Sequence, residues 1–487
     1  MNQRRSVDDA TGNRLAPLVL DLDGTLTSTD TLLESAIRVL KRAPANALLM
    51  PFWLRRGRAY FKAAIATRCT FPADLLPYRQ ELLAYLKTEK ARGRVIVLAT
   101  AAHRSIAEAV AAHLGIFDQV LASDENDNLK GTSKLARIQE TVGMRFVYAG
   151  DSSADLPIWK AAESAVLVGV STRVARQVRS FTAVEREFPS LPVGIHTWGR
   201  ALRIHQWVKN LLLFVPLLTA FSFNETSKLI PVMIAFVAFS LAASASYIVN
   251  DIADAWSDRA HPRKRSRPFA SASISIPAGL LVAASALVLA LALATAVSPT
   301  FLILLAFYLG LTSAYSWAFK EYVLIDVLML SVLYTLRILG GAIAAGVATS
   351  SWLIAFSVFL FLSLALVKRC SELVSLGDAG RESTRGRDYQ ISDLTILWPL
   401  GIGAGLSAVV VFGLFISAID TQAKYASPKL LWLVVIGLIY WLGRLWIKTN
   451  RGEMHDDPVV FACKDFGSRV TIVAMVAVTV AAYFLHI

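Results

Sequence analysis

From about residue 205 to residue 487 the chain is a succession of long apolar runs, and nothing else in it constrains the fold so strongly. The runs fall at roughly 207–223, 228–250, 276–297, 300–318, 322–345, 352–376, 396–418, 429–447 and 468–486. Each is close to the ~20 residues an α-helix needs to cross a bilayer, where every backbone N–H and C=O must find its partner inside the segment. The pattern predicts nine transmembrane helices over 206–487. Residues 1–190 have the mixed polarity of a water-soluble domain, and 191–205 reads as a juxtamembrane linker. The mean hydropathy of +0.52 therefore averages two unlike parts.

The loops orient the helices. Those after the second, fourth, sixth and eighth runs carry fifteen Lys and Arg, among them Arg259, Arg263, Lys264, Arg265, Arg267, Lys320, Lys368, Arg369, Arg381, Arg385 and Arg387, whereas the opposite loops carry Lys228, Lys424 and Lys429. The bias predicts that the first set, with the N-terminal domain, faces the cytoplasm of a multi-pass protein of a bacterial inner membrane. The segment Met1-Asn-Gln-Arg4-Arg5 has no apolar stretch behind it and does not read as a leader. A net charge of +13 concentrated in these loops fits phosphate-bearing substrates and anionic lipid better than nucleic acid. Cys69, Cys370 and Cys463 are too scattered for a disulfide framework or a zinc site.

The second run ends in Asn250-Asp251-Ile-Ala-Asp254-Ala-Trp-Ser-Asp258, and Arg259-Ala-His-Pro-Arg263-Lys264-Arg265-Ser-Arg267-Pro follows at once. If the helix continues, carboxylates at i, i+3 and i+7 fall within roughly 60° of one face. Such a stack at a membrane boundary is costly unless a cation neutralises it. Oxygen ligands on one face suit Mg²⁺, which bridges carboxylates to substrate phosphates, and the adjoining cations would take up the remaining phosphate charge. The stretch reads as a Mg²⁺-diphosphate site.

In the soluble part, Pro17-Leu-Val-Leu-Asp21-Leu-Asp23-Gly24-Thr25 is an apolar strand ending in two carboxylates and a glycine turn. Arg94-Val-Ile-Val-Leu-Ala-Thr100 is a second strand, Lys130-Gly131-Thr-Ser-Lys134 opens a helix, and Phe146-Val-Tyr-Ala-Gly150-Asp151-Ser-Ser-Ala-Asp155 is a third strand with carboxylates at its end. Strands alternating with helical stretches predict an α/β doubly wound parallel sheet with ligands at the strand carboxyl ends. The helical stretch of about 30–90 would be a small cap, and His103 and His113 read as ordinary packing or surface residues.

These four motifs, in this order over residues 17–170, resemble the haloacid dehalogenase superfamily. The resemblance implies that Asp21 is a nucleophile forming an aspartyl-phosphate and that Asp23 is the general acid and base. It implies that Mg²⁺ is held by Asp21, Asp23 through its carbonyl, and Asp151, with Asp155 supporting that shell. Thr100 and Lys134 would then stabilise the phosphoryl oxygens.

The membrane part resembles the UbiA superfamily of intramembrane transferases over 200–487. Gln206-Trp207-Val-Lys209-Asn210 and His261-Pro-x-Lys264-Arg265-x-Arg267-Pro resemble its branch of polyprenyl-phosphate phosphoribosyltransferases, whose products serve cell-envelope synthesis. The resemblance implies 5-phosphoribosyl diphosphate as donor, a polyprenyl phosphate as acceptor, and Asp251, Asp254 and Asp258 as the Mg²⁺-diphosphate ligands. Lys209, Asn210, Asn250, Lys264, Arg265, Arg267, Tyr315, Lys320, Lys368, Arg369 and Glu372 would line the substrates. Gly340, Gly341 and Gly346 would let helices approach closely.

One departure matters. Aromatic-acceptor members carry a second Asp-x-x-x-Asp cluster, and here Asp378 and Asp388 are too far apart for it. Lys368-Arg369-x-x-Glu372 stands in its place and suits a donor with an additional 5-phosphate. The expectation is a bifunctional enzyme, transferase and phosphatase, that meets the membrane, both phosphorylated substrates and a further copy of itself, but no nucleic acid. An aromatic prenyltransferase with a passenger phosphatase, or a non-catalytic lipid-binding scaffold, are the rival readings.

Overall fold

The computed structural model describes residues 15–125, 127–190, 192–378, 387–454 and 457–486. Arg4, Arg5, Arg381 and Arg385 lie outside the described residues. The chain divides into two compact units: the first runs to Ala201 and includes Val249–Leu280, and the second comprises Leu202–Ile248 and the chain from Leu281 on.

The first unit is built on six parallel strands: β1 (Leu18–Leu20), β2 (Ile96–His103), β3 (Gln119–Ser123), β4 (Val147–Gly150), β5 (Ser164–Val168) and β6 (Ala183–Phe188). Their order is β3-β2-β1-β4-β5-β6. Side chains alternate faces along a strand, so Leu18, Leu20, Ile96, Leu98 and Val147 form one core while Val19, Val97, Ala99 and Tyr148 form the other with Ile138 and Trp159. Both faces are covered, which is why the strands read as unbroken apolar runs. The strand order reverses between β1 and β4, and that crevice is where ligands of such sheets gather.

Three helices follow β1: Thr31–Arg42, Asn46–Arg55 and Arg58–Ala66. Asp30 caps the first by accepting from Leu33 N at 2.9 Å, and Gly57, at φ +109°, turns the chain between the second and third. Within the 30–90 stretch, the helix Gln80–Ala91 sends Leu82, Leu83 and Leu86 into the sheet core.

The second unit is helical. Eight helices among the described residues are long and apolar enough to cross a membrane: Thr226–Ala253, which it shares with the first unit, Ile276–Val297, Pro299–Trp317, Ile325–Ala345, Ser351–Gly377, Ile391–Ser417, Pro428–Asn450 and Phe466–Phe484. Ile276–Val297 has a mean hydropathy of 2.6, yet 22% of its apolar window is buried, so its apolar surface is left for lipid. Ile325–Ala345 is the central helix, with 67% of its window buried.

The run expected as a helix at 207–223 departs from that form. Ile204–Phe214 is a 3-10 helix, and a short α-helix, Val215–Thr219, follows it. Pro216 has no N–H to bond back to Leu212, so a regular helix cannot pass through it; at the second position of a new helix it costs little. Gly341 of the central helix packs on this segment: a Cβ there would lie 1.9 Å from the Leu213 carbonyl oxygen.

Candidate active sites

At the switch between β1 and β4 the chain delivers Asp21 and Asp151 from adjacent strand ends. Gly24 allows this crowding, because at φ +75° it turns the chain where a Cβ would lie 2.2 Å from an Asp151 carboxylate oxygen. Asp21, Asp151 and Asp155 each offer a carboxylate oxygen within 4.8 Å of the others. Burial, with Asp155 and Asp21 nearby, pushes the Asp151 carboxyl up to about 7. That crowding is what a divalent cation relieves, so the donor set fits Mg²⁺.

The neighbours sort the roles. Lys134 is 4% exposed and sits 2.9 Å from Asp21 and 3.9 Å from Asp155; burial opposes its charge, but the two carboxylates raise its pKa overall. Asp155 accepts from Tyr148 Oη at 2.9 Å and from the backbone N–H groups of Asp151 and Ser152, each at 3.3 Å. Its oxygens hold the loop after β4. Burial, and then Asp30, push the Asp23 carboxyl well above the usual carboxylate range, and Thr31 N donates to it at 2.8 Å. Thr100 is fully buried and accepts from Ala102 N at 3.0 Å; its neighbours Ala101 and Ala102 line the site. A cavity of about 530 Å³ stands over these groups. His103 caps the helix Arg104–Leu114 and His113 stacks on Tyr78, so both are structural.

The aspartate stretch is also in the first unit. The helix does not continue through it. Thr226–Ala253 ends, Asp254 takes φ −94° and ψ 0°, and a short helix, Ala255–Arg259, follows. Asp251 and Asp258, each 3% exposed, meet one nitrogen of Arg267, at 3.3 and 2.8 Å. Asp254 instead pairs with Lys41. The single face expected for all three carboxylates therefore holds for two. Arg259 donates two hydrogen bonds to Glu34, at 2.7 and 2.6 Å, and Trp256 donates a third at 2.5 Å. Lys264 and Arg265 are exposed, and Asn250 is half-buried.

In the second unit, Lys209 lies 2.7 Å and Lys368 3.4 Å from the same oxygen of Asp457, and Tyr334 Oη is 3.4 Å away. Burial opposes its charge, but the two lysines hold Asp457 down at about 2. Sequence reasoning missed Asp457; the signal was a carboxylate before Pro458, where it caps Pro458–Lys464. It also missed Arg337, a cation inside an apolar run, which donates to Asn210 at 2.9 Å, Tyr308 at 2.7 Å and the Leu333 carbonyl at 2.6 Å.

Two expected substrate contacts are engaged within the fold instead. The Asn210 amide is shared between Arg337 and Ser240. Arg369 has no exposed side chain: it pairs with Asp326 at 2.5 Å and with Glu372, which also accepts from Arg387 at 3.0 Å. Tyr315 and Lys320 are half-buried.

The profile of the UbiA prenyltransferase family matches residues 211–484, more than half the chain. The chain belongs to the UbiA prenyltransferase family. Residues 18–160 match the haloacid dehalogenase-like hydrolases, so this UbiA protein carries a hydrolase domain at its N-terminal side. It is similar to an uncharacterized protein of Sinorhizobium fredii, y4nM, with 38% identity over 95% of this chain and 90% of the relative. It is also similar to the decaprenyl-phosphate phosphoribosyltransferase of Mycobacterium tuberculosis, with 33% identity over 44% of this chain and 72% of the relative. A UbiA homolog from Archaeoglobus fulgidus, solved bound to GPP and Mg²⁺, aligns over 59% of this chain and all of its own, at 16% identity and a TM-score of 0.46.

Proposed function

We propose that the protein is a bifunctional enzyme. Its UbiA-type half transfers 5-phosphoribose from 5-phosphoribosyl 1-diphosphate to a polyprenyl phosphate, and its hydrolase half removes the 5-phosphate from the lipid product. The observation that carries the transferase reading is the meeting of Asp251 and Asp258 on one Arg267 nitrogen: a cation is already seated between them. That seat suits Mg²⁺, which would neutralise the diphosphate, with Arg267 turning from carboxylate to phosphate. The identity with a decaprenyl-phosphate phosphoribosyltransferase supports the donor and acceptor classes.

In the transfer, the bond from the anomeric carbon to the diphosphate oxygen breaks as a lipid phosphate oxygen bonds to that carbon, so no protein nucleophile is needed. Asp251 and Asp258 hold the leaving end, and Lys264, Arg265 and Arg267 take its charge. In the hydrolysis, Asp21 attacks phosphorus while Asp23 gives its proton to the departing C5 oxygen. Water then attacks the aspartyl-phosphate, Asp23 takes the water's proton, and phosphate leaves. Lys134 stabilises the phosphoryl oxygens throughout. Mg²⁺ held by Asp21 and Asp151 would screen the approach of carboxylate to phosphate.

The fifteen-to-three loop bias supports a cytoplasmic location for both sites, at a bacterial inner membrane. Laid end to end, Ile204–Phe214 and Val215–Thr219 extend ~30 Å at 3-10 and α rises, the thickness of a hydrocarbon core, which supports a ninth crossing.

The test is to incubate the purified protein with labelled phosphoribosyl diphosphate, polyprenyl phosphate and Mg²⁺. Labelled lipid should form, and Asp251→Asn should lower its rate at least tenfold, ~1.4 kcal/mol of barrier. No labelled lipid, with transfer of a prenyl group to an aromatic acceptor instead, overturns the reading.

A further inference from the structure

The hydrolase cavity is lined by three cations beyond Lys134, alongside Asp21, Asp23, Asp30, Asp151 and Asp155. Lys134 serves the phosphoryl oxygens, yet Arg58, Lys62 and Lys130 line the same cavity. Arg58 and Lys62 lie one turn apart on the cap helix Arg58–Ala66, at the i, i+4 spacing that places both side chains on one face. Lys62 is half-buried and reaches the cavity wall, donating to the Ala101 carbonyl at 2.5 Å and to Asn128 Oδ1 at 2.6 Å. These are neutral acceptors, so its charge is not cancelled by an ion pair there. Arg58 and Lys130 are exposed, and neither takes part in an ion pair among the described residues. Leu32, Leu54 and Phe61 add an apolar wall that suits the carbon face of a sugar.

Three cations converge on the cavity from the cap and from the loop before Thr132–Thr141. Asp23 and Asp30 act on Lys62, but none of the three forms an ion pair among the described residues, which leaves them able to take a second anion. We propose that Arg58, Lys62 and Lys130 bind a second phosphate group of the substrate. The site then takes a doubly phosphorylated sugar, cleaving a terminal phosphomonoester while holding a phosphodiester that stays intact. The inference rests on the Asp21 phosphatase reading and deepens it by naming the substrate class: the bond between phosphorus and the monoester oxygen breaks, water supplies the new oxygen, and the diester is a handle.

The test uses the full chain and two soluble probes, each with one cleavable group. One is methyl riboside 5-phosphate; the other is 5-phosphoribose whose 1-phosphate is a methyl diester. Phosphate release should favour the second probe by about tenfold or more in kcat/KM, chiefly through KM, because the charge-assisted contacts hold the intact diester before and during cleavage. Arg58→Gln and Lys130→Gln, both at exposed positions, should each narrow that ratio, and Lys62→Gln should narrow it further. Equal kcat/KM for the two probes, with Asp21-dependent release from both, overturns the inference and leaves the phosphatase reading standing. An unchanged ratio in all three variants also overturns it. If neither probe releases phosphate in an Asp21-dependent way, both the phosphatase reading and the inference fall.

Discussion

At the scale of the residue, charge pairing separates side chains that can meet a ligand from those that hold the fold. Lys368 and Arg369 are neighbours in sequence and opposites in place. Lys368 keeps about a third of its side chain exposed beside Asp457, whereas Arg369 is sealed against Asp326 and Glu372. Lys368→Gln should therefore weaken phosphoribosyl diphosphate more than inorganic diphosphate in competition binding, because the donor alone carries a 5-phosphate; equal weakening removes Lys368 from that role. The motif residues Asp21, Asp23, Lys134, Asp151 and Asp155 were legible in the sequence because their chemistry is fixed by short spacing after apolar strands. Asp457, Lys62 and Arg337 were not, because each acquires its meaning from partners far along the chain: Asp457 from Lys209, Lys62 from Ala101 and Arg337 from Asn210.

At the scale of the element, two contacts can be tested directly. Gly341→Ala would put a methyl against the Leu213 carbonyl and force the central helix away from Ile204–Phe214. Overpacking of this kind costs ~1–3 kcal/mol, so the variant should unfold at lower temperature in the same detergent; an unchanged melting temperature would show that the segment does not pack as described. At the sheet edge, Arg94 joins Glu89 of Gln80–Ala91 to Glu185 of β6, at 2.9 and 2.6 Å. The Arg94 hydrogen bond holds the Glu185 carboxyl down at about 2, below its usual 4.5. A carboxyl held down on folding adds stability above its ordinary pKa and loses it as pH falls through the folded value. The first unit should accordingly lose stability between about pH 4.5 and 2, and Glu185→Gln should flatten that part of the profile in acid-unfolding curves. The apolar runs announced the membrane helices well, since length and hydropathy alone decide a crossing. The 3-10 geometry of Ile204–Phe214 and the break at Asp254 were not legible, because both depend on how a local irregularity is satisfied by packing and by a distant lysine.

At the scale of the whole molecule, the chain joins a transferase of one family to a hydrolase of another. On the proposed reading, a lipid that leaves the first site with a 5-phosphate would be a substrate for the second, and tethering both activities in one chain would raise the effective concentration of each for the other. The extra cations of the hydrolase cavity fit such a lipid head group, which carries a diester as well as a monoester. The decisive measurement is the mass of the lipid made from phosphoribosyl diphosphate and polyprenyl phosphate by the intact protein and by Asp21→Asn. The account predicts polyprenyl-phosphoryl ribose from the intact protein and the same lipid with its 5-phosphate retained from the variant; an identical product from both, with the 5-phosphate present, would contradict it.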